Sequence, residues 1–244
     1  MSGSHWLIFS RWRTANSHEY GGGYERTSAM DTTTSAIPET YLAMDPSLEE
    51  PDKKIAASMD LAQLVETLER ELERDPELAI KHKPKLQQLL EDVSINMEDV
   101  QRFAHFDPSR NYTRNLISTD NETYALMLLC WNPGKYSPVH DHPTDGCWVK
   151  VIQGNVNEVR YEKQNDKLVQ TSNVVLTSGV TYMDDSFGLH KVGNPHPEIR
   201  AISMHLYSPP YEKCCVWFDT ENADKSSVSV ANYYTEYGEE VEYS

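Results

Sequence analysis

The stretch VHDHPTDGC, residues 139–147, contains two histidines whose spacing is the main evidence for the fold prediction. His140 and His142 flank Asp141, and Cys147 follows five residues after the second histidine. On a β-strand successive side chains alternate between faces, so both imidazoles point to one side and Asp141 points to the other. Such a pair on an inward face can place two nitrogens on one metal ion. The alternatives are a reactive thiol at Cys147 and a polar turn with two unrelated histidines.

The spacing around this stretch strengthens the metal hypothesis. From Gly134 to Gly154 the chain reads G-x5-H-x-H-x4-C-x6-G. This pattern resembles the first motif of the cupin superfamily, with Cys147 in the position of the usual glutamate.

A second motif of the same kind lies downstream. Gly179, His190 and Asn194 have the spacing of the second cupin motif, in which Asp185 and Phe187 replace the usual proline and glycine. The fold that both motifs imply is mainly β, a cupin double-stranded β-helix (jelly-roll-like) barrel.

Such a barrel holds one metal ion at its mouth, and here the ligands would be His140, His142 and His190. Imidazole suits iron, copper, nickel and zinc alike, so the ligand type leaves the metal open. With no glutamate at position 147 the ion keeps its full charge and several open positions, which favours an anionic, chelating substrate. The alternative interpretation is that the three histidines are ordinary core residues with satisfied hydrogen bonds.

The chain around the motifs divides by composition. Residues 1–57 mix Ser, Thr, Gly and Pro without a sustained period, which predicts a disordered extension rather than a targeting segment. A domain is predicted over residues 58–235. Apolar residues at helical spacing predict helices within 58–106, and short strands separated by turns predict the barrel at about 120–235. Residues 236–244 are predicted to be an acidic tail.

Charge and cysteine content limit the partners and the compartment. The 244 residues carry a formal net charge of −16 and form no basic stripe, which argues against nucleic acid as a partner. No apolar run approaches the ~18 residues of a membrane span. The four cysteines include the adjacent pair Cys214 and Cys215 and do not resemble a disulfide framework. A reducing compartment, the cytoplasm, is therefore expected.

Four segments resemble the cysteine dioxygenases, which are thiol dioxygenases of the cupin superfamily. The resemblance covers roughly residues 58–235. The segments are YTRNL at 112–116, LLCW to HDHPTDGC at 128–147, GLHKV at 188–192 and SMHLYSPP at 203–210. The resemblance implies an enzyme of cysteine catabolism that holds one iron(II) per chain and oxidises L-cysteine with dioxygen to cysteine sulfinic acid. A monomer is expected, with no membrane or nucleic-acid partner.

The resemblance also implies roles for individual residues. The iron ligands would be His140, His142 and His190. Arg114 would pair with the substrate carboxylate, for which its planar fork is suited, and Tyr112 would lie beside it.

A hydrogen-bonded relay next to the iron is implied for Ser203, His205 and Tyr207. Their spacing of two residues places all three on one strand face. Cys147 would form a thioether with Tyr207, as in part of the family. The Ser208–Pro209 bond matches a position at which the family has a cis peptide.

Two alternatives to L-cysteine oxidation stay open. The first is a thiol dioxygenase for 3-mercaptopropionate, cysteamine or an N-terminal cysteine; Arg114 argues against cysteamine, which has no carboxylate. The second is a non-catalytic metal-binding cupin, which would need neither Arg114 nor the polar strand face at residues 203–207.

Overall fold

A computed structural model describes residues 59–241 of the chain. The predicted extension at 1–57 lies outside the described residues, as do residues 242–244. Within the described part, no helix is long and apolar enough to cross a membrane.

The described chain begins with a helical part. Its four helices are α1 (Leu61–Arg74), α2 (Leu78–Lys81), α3 (Lys83–Asp92) and α4 (Met97–Val100), followed by a 3-10 turn at Gln101–Phe103. Helix α1 begins after Asp60, whose side chain accepts a hydrogen bond from the backbone N–H of Gln63. The Gln63 side chain accepts one from the backbone N–H of Asp60 in return. This capping box satisfies two N–H groups that a helix start leaves unpaired.

The remainder of the described chain forms thirteen strands in two sheets. In chain order they are β1 (Tyr112–Thr119), β2 (Ala125–Trp131), β3 (Val139–His140), β4 (Gly146–Gln153), β5 (Val156–Gln164), β6 (Lys167–Leu176), β7 (Val180–Met183), β8 (Leu189–Gly193), β9 (Ala201–Ser208), β10 (Lys213–Trp217), β11 (Ser227–Val230), β12 (Thr235–Glu236) and β13 (Glu239–Glu240).

The strand order is that of a double-stranded β-helix. One sheet has the order β13-β12-β1-β2-β9-β4-β7, and the other has the order β11-β10-β3-β8-β5-β6. All pairs are antiparallel except β1 with β12. The predicted fold class is confirmed.

The middle of the seven-stranded sheet is buried on both faces. Alternate residues such as Leu126 and Leu206 pack with the leucines of the helices in one apolar cluster. The residues between them, such as Met127 and Tyr207, belong to a second cluster inside the barrel. This double burial explains why β2 is apolar at every position, although antiparallel strands with one wet face alternate.

The sheet begins earlier than the predicted barrel start at about residue 120. Strand β1 starts at Tyr112, so Arg114 lies within the barrel wall rather than before it. The strand was missed because it carries buried polar residues, which are satisfied through distant partners. Asn115 Nδ2 donates to the backbone oxygen of His105, and Thr235 Oγ1 donates to Asn115 Oδ1 at 2.9 Å.

The end of the chain also differs from its prediction. Residues 236–240, predicted as part of an acidic tail, contribute to the hairpin of β12 and β13. Its two central residues, Tyr237 and Gly238, have φ values of 56° and 94°. Positive φ at both central positions is typical of the tight turns that match strand twist. Strand β12 then pairs with β1 and extends the sheet.

Candidate active site

The three histidines predicted as metal ligands converge inside the barrel. His140 ends β3 and lies opposite His190 of β8, and His142 follows two residues later. Ring centroids are 5.0 Å apart for His140 and His142, 4.7 Å for His140 and His190, and 4.4 Å for His142 and His190. One potential ligand atom from each residue lies within 4.8 Å of the others.

Two of these rings are oriented by hydrogen bonds from the nitrogen that faces away from the cluster. The Nδ1 of His140 is 3.0 Å from the backbone oxygen of Pro138, and the Nδ1 of His190 is 2.8 Å from Oε1 of Glu158. Both acceptors require a proton on Nδ1, so Nε2 of each ring is unprotonated and able to bind a metal. A carboxylate behind a ligating imidazole is a common means of fixing its tautomer.

Glu158, which contacts one of the three clustered histidines, was not identified from the sequence. It is buried in β5, and its Oε2 accepts from Nε and Nη2 of Arg160 at 3.2 and 3.0 Å. The signal was present in NVNEVRYE, where Glu158 and Arg160 share one face of a predicted strand. The register between β5 and β8 sets Arg160 opposite His190, which brings the carboxylate to the imidazole.

The electrostatics of the cluster suit a metal. Burial lowers the pKa of His142 and of His190 well below the usual value, and the neighbouring imidazoles lower it further. Burial also lowers the pKa of His140. The rings are therefore neutral at pH 7, which is the form that ligates metals. Three neutral nitrogens that converge to this degree fit one divalent transition metal ion.

The three polar residues predicted on β9 form a chain of hydrogen bonds. The indole N–H of Trp131 donates to Oγ of Ser203 at 2.8 Å, and Ser203 Oγ is 2.8 Å from Nε2 of His205. The Nδ1 of His205 is 3.4 Å from the hydroxyl of Tyr207. Burial and the charge of Arg114 lower the pKa of His205 to about 3, so this ring is neutral as well.

Cys147 and Tyr207 lie opposite each other in the register of β4 and β9. Directly paired residues of antiparallel strands have Cβ atoms about 4.5–5.5 Å apart. Burial raises the pKa of the Cys147 thiol to about 12, although a hydrogen bond with Tyr207 acts in the opposite direction. The thiol is therefore neutral in the absence of a metal, and Cys147 is not part of the cluster that the three histidines form. The Ser208–Pro209 bond is cis, as the resemblance implies.

Arg114 extends from β1 towards the rings of three tyrosines. Its guanidinium carbon is 5.7 Å from the ring centroid of Tyr207, 5.6 Å from that of Tyr211 and 5.7 Å from that of Tyr233. Among residues 59–241, no carboxylate forms a salt bridge with it, and its buried Nε has no hydrogen-bond partner. A buried donor without an acceptor costs about 1–3 kcal/mol, so this arginine is suited to an anionic ligand.

Two of the three clustered imidazoles and the arginine face one cavity of about 260 Å³. Tyr112, Arg114, His140, His190 and Tyr207 all line it. The sequence did not single out Tyr211 or Tyr233, which follow the predicted motifs and carry no spacing signal of their own. The cavity has room for a small organic molecule that touches the imidazole cluster and the guanidinium at the same time.

Known proteins resemble the chain over this region. The family model described as cysteine dioxygenase type I matches residues 51–221. Cysteine dioxygenase type 1 of Danio rerio is 36% identical over an alignment of 163 residues, with coverage of 65% of this chain and 80% of that protein. Cysteine dioxygenase type 1 of Homo sapiens is 34% identical over 171 residues, with coverage of 63% and 84%.

A solved structure of a Klebsiella pneumoniae protein with a double-stranded β-helix domain is also similar. It covers 49% of this chain and 95% of its own, at 19% identity and a TM-score of 0.37. The family match rests instead on sequence, extends over more than half of the chain and includes the three histidines, Arg114 and the polar face of β9. The chain belongs to the cysteine dioxygenase type I family.

Proposed function

We propose that the protein is an iron(II)-dependent dioxygenase that oxidises L-cysteine to cysteine sulfinic acid. The observation that carries this proposal is that three neutral imidazoles converge beside one small cavity. Two of them, His140 and His190, line this cavity together with an arginine that has no carboxylate partner within residues 59–241. A metal-binding cupin without catalytic activity would have no need of the buried guanidinium.

The ligands of the iron in this proposal are His140, His142 and His190, with one ion per chain. When bound, iron(II) supplies oxygen activation and a site for the substrate's thiolate and amine, whose protons are lost more readily on coordination. Glu158 acts behind His190 and keeps Nε2 of that ring directed at the ion.

Arg114 binds the carboxylate of the substrate, and Tyr112 lies beside it. Nε of Arg114 is one donor for the carboxylate, which the fork of a guanidinium can hold with two hydrogen bonds. The ring of Tyr112 packs 4.6 Å from that of Trp131 and forms a wall next to the arginine. Substrate held at its carboxylate end has its sulfur oriented towards the imidazole cluster.

The Ser203, His205 and Tyr207 relay places a proton at the substrate. Because an indole N–H can only donate, Ser203 Oγ accepts a hydrogen bond from Trp131. Its own O–H can then donate a hydrogen bond to Nε2 of His205. In that arrangement Nδ1–H of His205 faces the oxygen of Tyr207. The phenolic O–H is then available to donate into the cavity. Burial raises the pKa of Tyr207 well above its usual value, which keeps the phenol protonated.

The reaction balances without a second reductant. The thiolate and one dioxygen give the sulfinate, both oxygen atoms are bonded to sulfur, and the four electrons that sulfur loses reduce the dioxygen.

A thioether between Cys147 and Tyr207 accompanies this activity. A bond forms between Sγ and a ring carbon next to the phenol oxygen, and the thiol hydrogen and one ring hydrogen are lost. The two electrons and the two hydrogens reduce one dioxygen to hydrogen peroxide, and dioxygen is the oxidant that the enzyme already uses. The opposed positions of the two residues in β4 and β9 support this assignment.

A cytoplasmic monomer completes the proposal. All four cysteines are free thiols in the described part of the chain, which is compatible with a reducing compartment.

A substrate panel tests the function. Purified, iron-loaded protein is supplied with L-cysteine, 3-mercaptopropionate or cysteamine, and oxygen uptake is measured together with the sulfinic acid product. We expect the highest kcat/KM for L-cysteine and one sulfinate formed per dioxygen consumed. Preference for 3-mercaptopropionate would assign the protein to another thiol, and no uptake with any thiol would leave a metal-binding cupin.

A further inference from the structure

Tyr211 is placed at the carboxylate end of the cavity. It follows the cis Ser208–Pro209 bond, and its ring packs edge-on against that of Tyr207 at a centroid distance of 5.1 Å and an angle of 79°. The neighbouring backbone is fixed, because the oxygen of Glu212 accepts a hydrogen bond from the N–H of Ala231 at 2.7 Å. The position of the Tyr211 ring is therefore determined on two sides.

The hydroxyl of Tyr211 faces the guanidinium of Arg114. Nη1 of Arg114 donates to the Tyr211 oxygen at 3.4 Å. An arginine has no acceptor, so the oxygen accepts in this contact and the phenolic proton is available for another acceptor. Burial raises the pKa of Tyr211 to about 12, so the group is a neutral donor at pH 7. A carboxylate held at Arg114 is an acceptor within the same end of the cavity.

The ring of Tyr211 also separates the cavity from a second concave region. This outer groove has a volume of about 450 Å³, and its lining includes Asn121, Glu212 and Glu236. Tyr211, Val230 and Ala231 line both spaces. Tyr211 is the large side chain among these three, so its ring is the main wall between the two.

We propose that Tyr211 restricts the enzyme to small thiols whose carboxylate is not extended beyond the position that the carboxylate of L-cysteine takes at Arg114. The hydroxyl adds a hydrogen bond to the carboxylate that Arg114 binds, and the ring blocks any extension of the substrate towards the outer groove. This inference rests on the proposed function.

Cysteinylglycine is the probe that isolates the carboxylate end. It has the same thiol and the same free amine as L-cysteine, so both can still chelate a metal ion. It differs only at the former carboxylate, which is extended by an amide and one further residue. Discrimination between the two molecules therefore reports on the surroundings of Arg114 and Tyr211.

Two substitutions separate the hydroxyl from the ring. Tyr211→Phe keeps the wall and removes the donor. The apparent KM for L-cysteine should rise about tenfold or more, because a hydrogen bond to a charged carboxylate is lost, with kcat within twofold. This variant should still reject cysteinylglycine. Tyr211→Ala opens the wall, and it should oxidise cysteinylglycine to its sulfinate at least about tenfold faster than the parent does. Tyr211→Leu provides the same opening in part if the alanine variant loses its iron.

The controls keep the outcomes distinct. Tyr237→Phe removes the hydroxyl of an exposed tyrosine that does not line the cavity, and it should match the parent for both substrates. Anaerobic calorimetry of L-cysteine binding should show the same loss of affinity in Tyr211→Phe, independently of turnover. Iron content and the thermal midpoint establish that each variant is folded.

An unchanged KM in Tyr211→Phe would overturn the role of the hydroxyl. If a folded Tyr211→Ala or Tyr211→Leu protein oxidises L-cysteine but not cysteinylglycine, the ring is not the barrier. A parent protein that does not oxidise L-cysteine would refute the proposed function itself, which is a different result from either of these.

Discussion

The two faces of strand β9 differ in chemistry, although they share one backbone. The outer face packs against the helices with three apolar side chains, Ile202, Met204 and Leu206. The inner face presents Ser203, His205 and Tyr207 to the cavity side. All six side chains are almost fully buried. Burial alone therefore does not distinguish the residues that maintain the fold from those assigned to the chemistry.

The difference lies in how burial is compensated. An apolar side chain gains about 25 cal/mol per Å² removed from water, wherever it is buried. A polar side chain loses its hydration and needs a partner of suitable geometry. On the inner face of β9 each polar group has such a partner, within the strand or in Trp131. We expect substitutions on the outer face to change stability and substitutions on the inner side to change activity.

The largest effect is expected from a metal ligand. His190→Ala should reduce bound iron to below about a tenth of the parent level and lower kcat/KM by more than about a hundredfold. The loss of a ligand should cost more than the ten- to hundredfold typical of an outer-shell partner. Elemental analysis and oxygen uptake measure both, with the exposed His82→Ala as the control. Stoichiometric iron in the His190 variant would refute the ligand assignment.

The outer face should show the opposite behaviour. Leu206→Ala leaves a cavity beneath the helices and should lower the free energy of unfolding by about 2–5 kcal/mol. Its kcat should stay within twofold of the parent at a temperature where the variant is folded. Urea unfolding and steady-state kinetics provide the two readouts. Ser203→Ala on the inner face is the matched comparison, and equal losses of stability in the two variants would remove the distinction between the faces.

Arg114→Ala should affect substrate binding more than turnover. A charge-assisted, bidentate contact contributes roughly 1.5–3 kcal/mol, so the apparent KM for L-cysteine should rise about ten- to a hundredfold. Any activity on cysteamine, which has no carboxylate, should hardly change. Arg200→Ala removes an exposed arginine near Phe106 and is the control. A variant at position 114 with the parental KM would show that the carboxylate is bound elsewhere.

A smaller effect, on stability, is expected from Asp184, which lies where the helical part meets the end of β7. Burial raises the pKa of Asp184, but hydrogen bonds from Lys83, Ser186 and Tyr182 outweigh it, and the pKa lies below its usual value. The ionised form is therefore the one that stabilises the fold. Because the Lys83 side chain is 38% exposed, Asp184→Asn should cost only about 1–2 kcal/mol at pH 7.

The stability contribution of Asp184 should depend on pH in a definite direction. A lowered folded-state pKa contributes stability above the unfolded value of about 3.9, and this contribution is lost as the pH falls through the folded pKa. The parent and Asp184→Asn proteins should thus differ most at neutral pH, begin to converge below about pH 4 and become equal only as the pH falls through the lowered folded-state pKa. Denaturant unfolding at a series of pH values measures the difference. A constant difference from pH 7 to pH 3 would contradict the role of the Asp184 charge.

The smallest effect concerns the thioether. Cys147→Ser prevents the bond, and we expect a two- to fivefold lower kcat. This is about the entropic cost of ordering the one side chain that the bond would otherwise hold in place. In the parent protein the Cys147 and Tyr207 peptides should appear joined after extensive turnover, lighter by two hydrogens. Peptide mass spectrometry reports this directly, and apo-protein treated in the same way should lack the product. Complete alkylation of Cys147 after turnover would exclude the bond.

The sequence predicted the features that depend on local spacing. The H-x-H pair, the glycine-bounded motifs and the alternation along β9 are each contained in a few consecutive residues. The structure brings together the histidines at 140, 142 and 190, and it aligns Cys147 with Tyr207. The capping box at Asp60 was predictable for the same reason.

The features that escaped prediction depend on distant partners. Strand β1 is polar at Thr113 and Asn115 because residues as far away as Thr235 satisfy them. From the sequence alone, Glu158 resembles an ordinary exposed glutamate. Its contact with His190 depends on the pairing of β5 with β8. Tyr211 and Tyr233 reach Arg114 only because the chain returns to β1 after the barrel is complete.

The parallel pairing of β12 with β1 has a consequence for folding. Asn115 and Thr235 are 120 positions apart, so their contact closes a loop that contains nearly all of the barrel's residues. Long-range pairings of this kind slow folding, because the entropy of loop closure is lost before the contact forms. The strand that carries Arg114 is made well before its neighbour β12, so β1 lacks this partner during the early stages of folding. The edge of the sheet beside Arg114 should therefore be among the later parts of the barrel to form.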